Sequence, residues 1–193
     1  MKPLRRVSGR VAVLDRADVD TDQIIPKQFL KRIGRTGYGE FVFHDWRKDP
    51  AFELNRPEYA GAPILVAGRN FGCGSSREHA AWALQDYGFD VVIAASFGDI
   101  FFQNALKVGM LPVTLPPGIV RELGEEQELT VDLERCRITT PDGHEIPFEL
   151  DPFRQRCLLE GLDDIAMTLE HDQAIAGYEA ERPGLVDTTA MAV

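Results

Sequence analysis

The hydrophobic pattern is clearest in the middle of the chain, where short apolar runs alternate with segments of helical character. Three apolar runs predict buried strands, at residues 63–67, 90–95 and 110–115. Residues 77–87 and 100–108 lie between these runs and predict helices, each followed by a glycine that can end it. Strands and helices in this alternation predict parallel βαβ units with right-handed crossovers.

The flanking segments have a different pattern. Residues 11–14 predict a strand that runs into an acidic loop at 15–22. After the last buried run, the segments 128–133, 137–140 and 146–150 predict antiparallel strands, the last two joined by an Asp-Gly turn. Residues 152–160 and 163–178 predict C-terminal helices. We therefore expect an α/β fold in a single domain over 1–182, with a disordered tail at 183–193.

Composition and charge narrow the class of protein. The chain has 193 residues, of which 44% are hydrophobic and 27% charged, a balance typical of globular proteins. The formal net charge of −10 argues against nucleic acid or an anionic membrane as a partner, although a pocket can still be locally positive. No run approaches the roughly 18 apolar residues of a membrane span, and no apolar segment of a secretory signal follows the basic N-terminus. We expect a cytoplasmic protein.

The cysteines argue against a self-contained metal site. There are three, Cys73, Cys136 and Cys157, and no Cys-x-x-Cys pair. An odd count of this kind does not suit a disulfide framework, and an iron–sulfur cluster usually needs about four protein ligands. We therefore expect no metal or cofactor in this chain, and any cluster that the chemistry requires must come from another polypeptide.

The strongest chemical motif lies where a predicted buried strand meets a helix. Residues 70–79 have the sequence Asn-Phe-Gly-Cys-Gly-Ser-Ser-Arg-Glu-His. Glycines at 72 and 74 permit a tight turn, and Ser75 and Ser76 fall at the predicted helix start, where unpaired N–H groups favour an anion. Arg77 adds a fork of donors that suits a carboxylate. The motif predicts a site for a carboxylate or a phosphate.

Two other interpretations of this motif are open. Ser75 and Glu78 have the spacing of a capping box, in which the serine needs no function beyond closing the helix end. A nucleotide-binding loop fits less well, because the segment lacks both a third glycine and the Gly-Lys-Ser/Thr of a P-loop.

Several motifs in order carry a resemblance to a known family. Residues 74–80 (Gly-Ser-Ser-Arg-Glu-His-Ala) closely resemble the signature of the aconitase-type swivelling domain. Residues 20–26 (Asp-Thr-Asp-Gln-Ile-Ile-Pro), 96–104 and 161–165 resemble further signatures of its free-standing version. The resemblance spans roughly residues 4–182 and is strongest to the small subunits of bacterial isopropylmalate isomerases. It implies a swivelling β/β/α architecture.

The resemblance also implies a reaction and a partner. In this family a large subunit carries a 4Fe-4S cluster, and the small subunit docks over it to complete the active site. The reaction converts 2-isopropylmalate to 3-isopropylmalate through isopropylmaleate, a step of leucine synthesis. By resemblance, Ser75 is the catalytic base, while Ser76 and Arg77, with Gly74 beside them, bind a carboxylate of the dicarboxylate substrate.

Two segments near the start of the chain are candidate parts of the site. An EF-hand calcium loop starting at Asp18 would need glycine at position 23 and glutamate at 29, where this chain has Gln23 and Phe29. Asp20 and Asp22 are therefore expected to cap turns that hold the site; a direct contact of Asp20 or Thr21 with the substrate or the large subunit is the alternative. The family places a substrate-recognition loop after Pro26, which makes Leu30, Lys31, Arg32 and Ile33 a possible selector of the substrate's far end.

Two residues inside the motif have structural expectations of their own. His79 is expected to pack in the first helical turn rather than act as a second base. Cys73 lies close to a helix start and is expected to be a reactive, oxidisable thiol.

Other functions remain open on the sequence alone. The nearest is a sister hydro-lyase acting on homocitrate-like, citraconate-like or dimethylmalate substrates. The other is a non-catalytic module that binds a dicarboxylate.

Overall fold

The computed structural model describes residues 1–32 and 34–181 of the chain. The predicted loop residue Ile33, the predicted tail at 183–193 and the domain boundary at 182 lie outside the described residues. Seven strands form one sheet: β1 (Arg6–Leu14), β2 (Ile64–Ala67), β3 (Val91–Ala94), β4 (Leu111–Thr114), β5 (Glu128–Asp132), β6 (Arg137–Thr139) and β7 (Glu145–Pro147).

The order of the strands is β4-β3-β2-β1-β5-β6-β7. Strands β1 to β4 are mutually parallel, and β1, β5, β6 and β7 pair antiparallel. The first half of β1 pairs with β5 (Arg6 with Asp132), whereas its second half pairs with β2 (Val11 with Ile64). The predicted α/β class, with parallel βαβ units beside an antiparallel region, is confirmed.

Seven α-helices accompany the sheet in the described residues: α1 (Thr21–Ile24), α2 (Glu78–Tyr87), α3 (Asp99–Val108), α4 (Pro117–Glu125), α5 (Pro152–Glu160), α6 (Asp164–Leu169) and α7 (Asp172–Glu181). Five short 3-10 turns connect α1 to β2, at Lys27–Lys31, Gly39–Phe41, Trp46–Lys48, Glu53–Asn55 and Pro57–Tyr59. All helices in 1–32 and 34–181 are too short or too polar to cross a bilayer.

Alternate side chains of the parallel strands enter two different hydrophobic clusters, because successive residues of a strand point to opposite faces. Leu65 and Val92 pack with α2 and the 3-10 segment. Ile64 and Ile93 pack with α4, the antiparallel strands and α5. The sheet is therefore covered on both sides, which explains why its central strands are continuous apolar runs.

Two boundaries differ from the sequence prediction. β1 begins at Arg6 rather than at residue 11, because the ladder with β5 is formed by an alternating segment whose polar residues face outward. The helix predicted at 163–178 is two helices, α6 and α7, which meet at residues 170 and 171.

Candidate active site

The serine–arginine loop, residues 68–77, joins the carboxyl end of β2 to α2 and is bound on both sides by neighbouring loops. The Gly72 N–H donates to the carbonyl of Val19 in the loop after β1, at 2.7 Å. The Phe71 N–H donates to Ser96 in the loop after β3, at 3.0 Å. The carboxyl ends of three parallel strands thus converge on this loop, which fixes its path.

Glycine is required at two positions in the loop. Gly72 has a φ of +73°, and a Cβ there would lie 2.2 Å from Cγ of Phe101. Gly74 has a φ of +88° and faces the start of α1, where a Cβ would lie 3.3 Å from the Cβ of Asp20 and 3.9 Å from the hydroxyl oxygen of Thr21. Side chains at these positions would be strained and would push the loop away from its supports.

Helix α1 supports the loop from behind. Asp20 caps the helix in a reciprocal capping box with Gln23, as the 2.8 Å and 2.9 Å hydrogen bonds between them show. Thr21 is buried; its N–H donates to the carbonyl of Cys73 at 3.0 Å, and its hydroxyl donates to the carbonyl of Ser75 at 2.9 Å. Asp20 thus has the turn-capping role favoured from the sequence, and Thr21 fixes the backbone that carries Ser75.

The two serines are exposed and precede the helix. Helix α2 begins at Glu78 with Arg77 at its N-cap position, so the predicted helix start was placed too early. No side chain of the described chain caps α2, so the capping box predicted as an alternative for Ser75 and Glu78 is not formed. Ser75 and Ser76 are therefore free of a capping role and present their hydroxyls to solvent.

Arg77 is held over the same edge by an ion pair. Its guanidinium donates to a carboxylate oxygen of Asp22, in the first turn of α1. The Arg77 side chain is only 16% exposed, whereas that of Asp22 is 50% exposed. Asp22 therefore fixes the direction of the guanidinium, and a bond to one of its carboxylate oxygens does not use all five N–H donors of the fork.

A cluster of polar side chains that was not predicted from the sequence holds the start of the loop. The Asp18 carboxylate accepts hydrogen bonds from Arg69 at 3.1 Å and from the Asn70 amide at 2.8 Å. Asp18 and Asn70 both have positive φ values, 57° and 56°. Aspartate and asparagine tolerate this conformation better than most residues, which is the one signal in the sequence that pointed to them.

His79 packs between aromatic rings, as expected. Its ring lies edge-on to Tyr38 with centroids 5.3 Å apart and is tilted against Trp82 at 4.6 Å. Burial lowers the pKa of His79; the carboxylate of Glu78 opposes this effect, and the charge of Arg77 adds to it. His79 is therefore neutral near pH 7 and adds no second positive charge beside Arg77.

The possible substrate loop is anchored to the same helix through Tyr38. The Tyr38 hydroxyl lies 3.1 Å from the carbonyl of Arg32 and 2.9 Å from that of Gly34, and donates its single proton between them. Leu30 is partly buried against the core, while Lys31 and Arg32 are exposed. Tyr38 thus connects this loop to the first turn of α2, although no described contact joins residues 30–32 to the serines.

The pKa of Cys73 differs from what the sequence predicted. Burial raises the pKa of Cys73, and the nearby carboxylates of Asp20 and Asp18 raise it further. A raised pKa disfavours the thiolate, so burial first and the two carboxylates second oppose the reactivity predicted for Cys73. Across the residues that the structure describes, no group of three or more His, Cys, Asp or Glu side chains is arranged to hold a metal ion.

The two serines lie at an exposed edge of the described structure. A cavity of about 460 Å³ opens beside the same loop, between the sheet and α4, and its lining includes Gly68, Arg69 and Arg121. None of residues 74–77 is among the residues that line it. Ser75 and Ser76 are exposed at this edge, so a second surface is needed to exclude water from them.

Comparison with known proteins first shows the class of domain to which this chain belongs. Residues 1–118, most of the sheet together with the serine–arginine loop, match the family model described as the aconitase C-terminal domain. Residues 122–152, which hold the antiparallel strands, match the model described as LeuD_N. Fold and site thus define an aconitase-type domain.

The relatives are more specific. The chain is 56% identical to the 3-isopropylmalate dehydratase small subunit of Bacillus licheniformis, over 94% of this chain and 97% of the relative. It is also 56% identical to that of Acidobacterium capsulatum, over 95% and 92%. The solved 3-isopropylmalate dehydratase (leuD) of Methanocaldococcus jannaschii superimposes with a TM-score of 0.68 at 28% identity, covering 90% of this chain and 99% of that one. The chain belongs to the 3-isopropylmalate dehydratase small subunit family.

Proposed function

We propose that this chain is the small subunit of a heteromeric hydro-lyase that converts 2-isopropylmalate to 3-isopropylmalate through isopropylmaleate, in leucine synthesis. The observation that carries the proposal is the geometry of the loop edge. Ser75 and Ser76 are exposed, Thr21 holds the backbone beneath Ser75, and Asp22 directs Arg77 over the same edge. Relatives with this name match nearly the whole chain.

The open edge supports the heteromeric part of the proposal. Acid–base chemistry of this kind needs an enclosed site, because solvent weakens every electrostatic interaction in it. The three free cysteines lie apart, in the site loop (Cys73), in the turn between β5 and β6 (Cys136) and in α5 (Cys157), so this chain does not provide a thiolate set for a cluster. We assign a 4Fe-4S cluster to the large subunit, where it would supply a Lewis acid for the leaving hydroxyl. A cytoplasmic setting suits the free thiols.

Ser75 is proposed as the base. As an alkoxide, its Oγ takes the proton from the carbon next to the hydroxyl-bearing carbon of 2-isopropylmalate; the electron pair of that C–H bond becomes the C=C bond, and the hydroxyl leaves with its bonding pair as hydroxide. Hydroxide then adds to the carbon that lost the proton, and the Ser75 hydroxyl returns its proton to the other carbon, which regenerates the alkoxide. A serine is a weak acid, so the charge of Arg77 and the uncapped first turn of α2 are proposed to stabilise the alkoxide.

Ser76 and Arg77 are proposed to bind a carboxylate of the substrate. The guanidinium has five N–H donors, and the Asp22 carboxylate does not use all of them. Gly74, with a φ of +88°, is proposed to let the loop backbone come close to a ligand beside the serines. In this proposal Asp20, Thr21 and Asp22 support the loop from behind.

We propose that the loop at residues 30–32 selects the isopropyl group of the substrate. Ile33, which lies outside the described residues, is included in this proposal. The partly buried Leu30 offers an apolar surface, and Tyr38 holds the following backbone. The names of the relatives favour 2-isopropylmalate over the substrates of sister hydro-lyases.

Reconstitution tests the proposal. The chain is co-expressed with a large subunit of the same family, and the purified complex and the chain alone are assayed anaerobically with 2-isopropylmalate. We expect isomerisation by the complex and none by the chain alone. Turnover of homocitrate-derived, citraconate-type or dimethylmalate substrates in preference to 2-isopropylmalate would contradict the substrate assignment. Turnover by the chain alone would contradict the heteromeric assignment.

A further inference from the structure

The cavity between the sheet and α4 has an apolar floor. Its volume of about 460 Å³ is within the range of small-molecule sites. Val13 of β1, Val66 of β2 and Val120 of α4 line it, and the last two are buried. Gly124 of α4 also lines the cavity, and a Cβ there would lie 3.6 Å from Val66 Cγ1 and 3.7 Å from Val13 Cγ1. Because residue 124 has no side chain, the two strand valines remain open to the cavity.

Four charged side chains surround this floor: Asp15, Arg69, Arg121 and Glu125. All four residues are exposed. Within residues 1–32 and 34–181, the side chains of Asp15, Arg121 and Glu125 form no hydrogen bond or ion pair. Arg69 pairs with Asp18 at 3.1 Å, and this bond leaves further N–H donors of its guanidinium. The cavity therefore brings together two positive and two negative groups that do not neutralise one another by direct contact.

The charges and the floor together restrict the chemistry of an occupant. Two cations and two anions sum to zero, so a phosphate or a dicarboxylate would meet repulsion as well as attraction. A purely apolar molecule would use the floor and none of the charges. The described lining contains no aromatic side chain, which disfavours a nucleobase. A zwitterion with a short aliphatic side chain matches both the charges and the floor.

We propose that this cavity binds a free amino acid with a short, branched aliphatic side chain. Arg69 and Arg121 receive its carboxylate, Asp15 and Glu125 receive its ammonium group, and the valine floor receives its side chain. None of residues 74–77 lines the cavity, so this site is separate from the serines and the inference goes beyond the proposed function. The ligand reaches the serine–arginine loop only at its first two residues, 68 and 69.

Titration of the full chain with a matched set of small molecules tests the ligand class. The probes are L-leucine, 4-methylpentanoate (which lacks the ammonium group), 3-methylbutylamine (which lacks the carboxylate) and glycine (which lacks the aliphatic side chain). Binding is followed by the methyl NMR signals of Val13, Val66 and Val120, which report from the floor itself. We expect L-leucine to saturate these shifts below about 10 mM, and each of the other three to bind at least about tenfold more weakly.

Variants of α4 locate the ligand. Gly124→Leu places a side chain over the strand valines and is expected to abolish binding. Gly124→Ala adds a single methyl group at ordinary contact distance, so it keeps the fold if the larger variant does not, and it is expected to weaken binding several-fold. Gly118→Leu is the matched control, because Gly118 belongs to the same helix, lies outside the lining, and would place its Cβ more than 4 Å from any neighbour.

Charge variants distinguish the two ends of the ligand. Arg121→Gln is expected to weaken binding of L-leucine at least about tenfold and to leave that of 3-methylbutylamine unchanged. Glu125→Gln is expected to weaken L-leucine as well and to leave 4-methylpentanoate unchanged. Glu122→Gln is the control, because Glu122 is exposed on α4 outside the lining.

Three results would overturn the proposal: no saturation by L-leucine, equal or tighter binding of 4-methylpentanoate, or binding that both Gly124 variants leave intact. Circular dichroism establishes that each variant is folded. The reconstituted complex tests the proposed function without this ligand, so failure of one leaves the other standing.

Discussion

At the scale of single residues, the proposed site separates the group that reacts from the groups that hold it. Ser75 is exposed, but its carbonyl is bound by the buried Thr21, and its neighbour Arg77 is directed by Asp22. Each support comes from α1, about fifty residues earlier in the chain. The serine–arginine motif itself could be predicted from the sequence. Its partners could not, because nothing local to residues 70–79 specifies which distant carboxylate or hydroxyl will face them.

Removing the Ser75 hydroxyl tests its assignment as the base. Ser75→Ala should lower kcat of the reconstituted enzyme by roughly a thousandfold or more, with little change in KM, because the proton acceptor is lost. Ser76→Ala is the companion variant and should act mainly on KM, since it removes a carboxylate contact. Steady-state kinetics distinguish the two. Near-wild-type turnover by the Ser75 variant would remove it from the mechanism.

The packed ring of His79 gives a pH dependence of stability. Its pKa is lowered in the folded state, so the unfolded chain binds more protons as pH falls below about 6.5. This group therefore contributes full stability above that pH and loses it as pH falls towards the folded pKa. Urea unfolding at pH 7.5 and 5.5 should show a loss in the wild type that is smaller in His79→Phe. His144→Gln, at an exposed turn, serves as the control, and an unchanged loss in the Phe variant would contradict the argument.

At the scale of elements, the site loop is held by close contact with its neighbours. The loop after β3 donates from the Gly98 N–H to the carbonyl of Phe71 at 2.9 Å, and the ring of Phe101 in α3 lies directly against Gly72. The helices and central strands around the loop were predicted because their apolar runs and terminal glycines are local signals. The first half of β1 was missed because its strand conformation depends on pairing with β5, more than a hundred residues later.

Gly72→Ala should loosen this arrangement. The substitution adds backbone strain at positive φ and a collision with Phe101, and together these should cost about 2–4 kcal/mol of unfolding free energy. Gly143→Ala is the matched control: its φ is +88°, but a Cβ there meets no atom within 4 Å, so only the strain of about 1–2 kcal/mol applies. Urea titrations measure both. Equal losses would show that the contact with Phe101 carries no energy.

At the scale of the whole molecule, one sheet joins two hydrophobic clusters. The apolar run of β2 contributes Ile64 to one and Leu65 to the other, so neither cluster can be disrupted without disturbing a shared strand. The α/β class could be predicted from the sequence, and so could the two types of strand pairing. The packing of α4 against the parallel strands β1 to β3 could not, because its apolar residues do not specify which face of the sheet it covers.

This connection predicts a single unfolding transition. Both tryptophans, Trp46 and Trp82, pack against the cluster that contains Leu65, whereas Ile138 is fully buried in the other. Ile138→Ala should destabilise the protein by about 2–5 kcal/mol and should move the tryptophan fluorescence transition by as much as the far-ultraviolet circular dichroism. Two separated midpoints would mean that the clusters unfold independently.

The division of β1 between two ladders has one more consequence. β1 pairs with β2 in parallel and with β5 antiparallel. If β1 slipped by one residue along one of these strands, its hydrogen bonds with the other strand would be broken. The slip would also turn the side chains of β1 to the wrong faces of the sheet. The alignment of the parallel half of the sheet with the antiparallel half is therefore set by nine residues near the start of the chain, Arg6–Leu14.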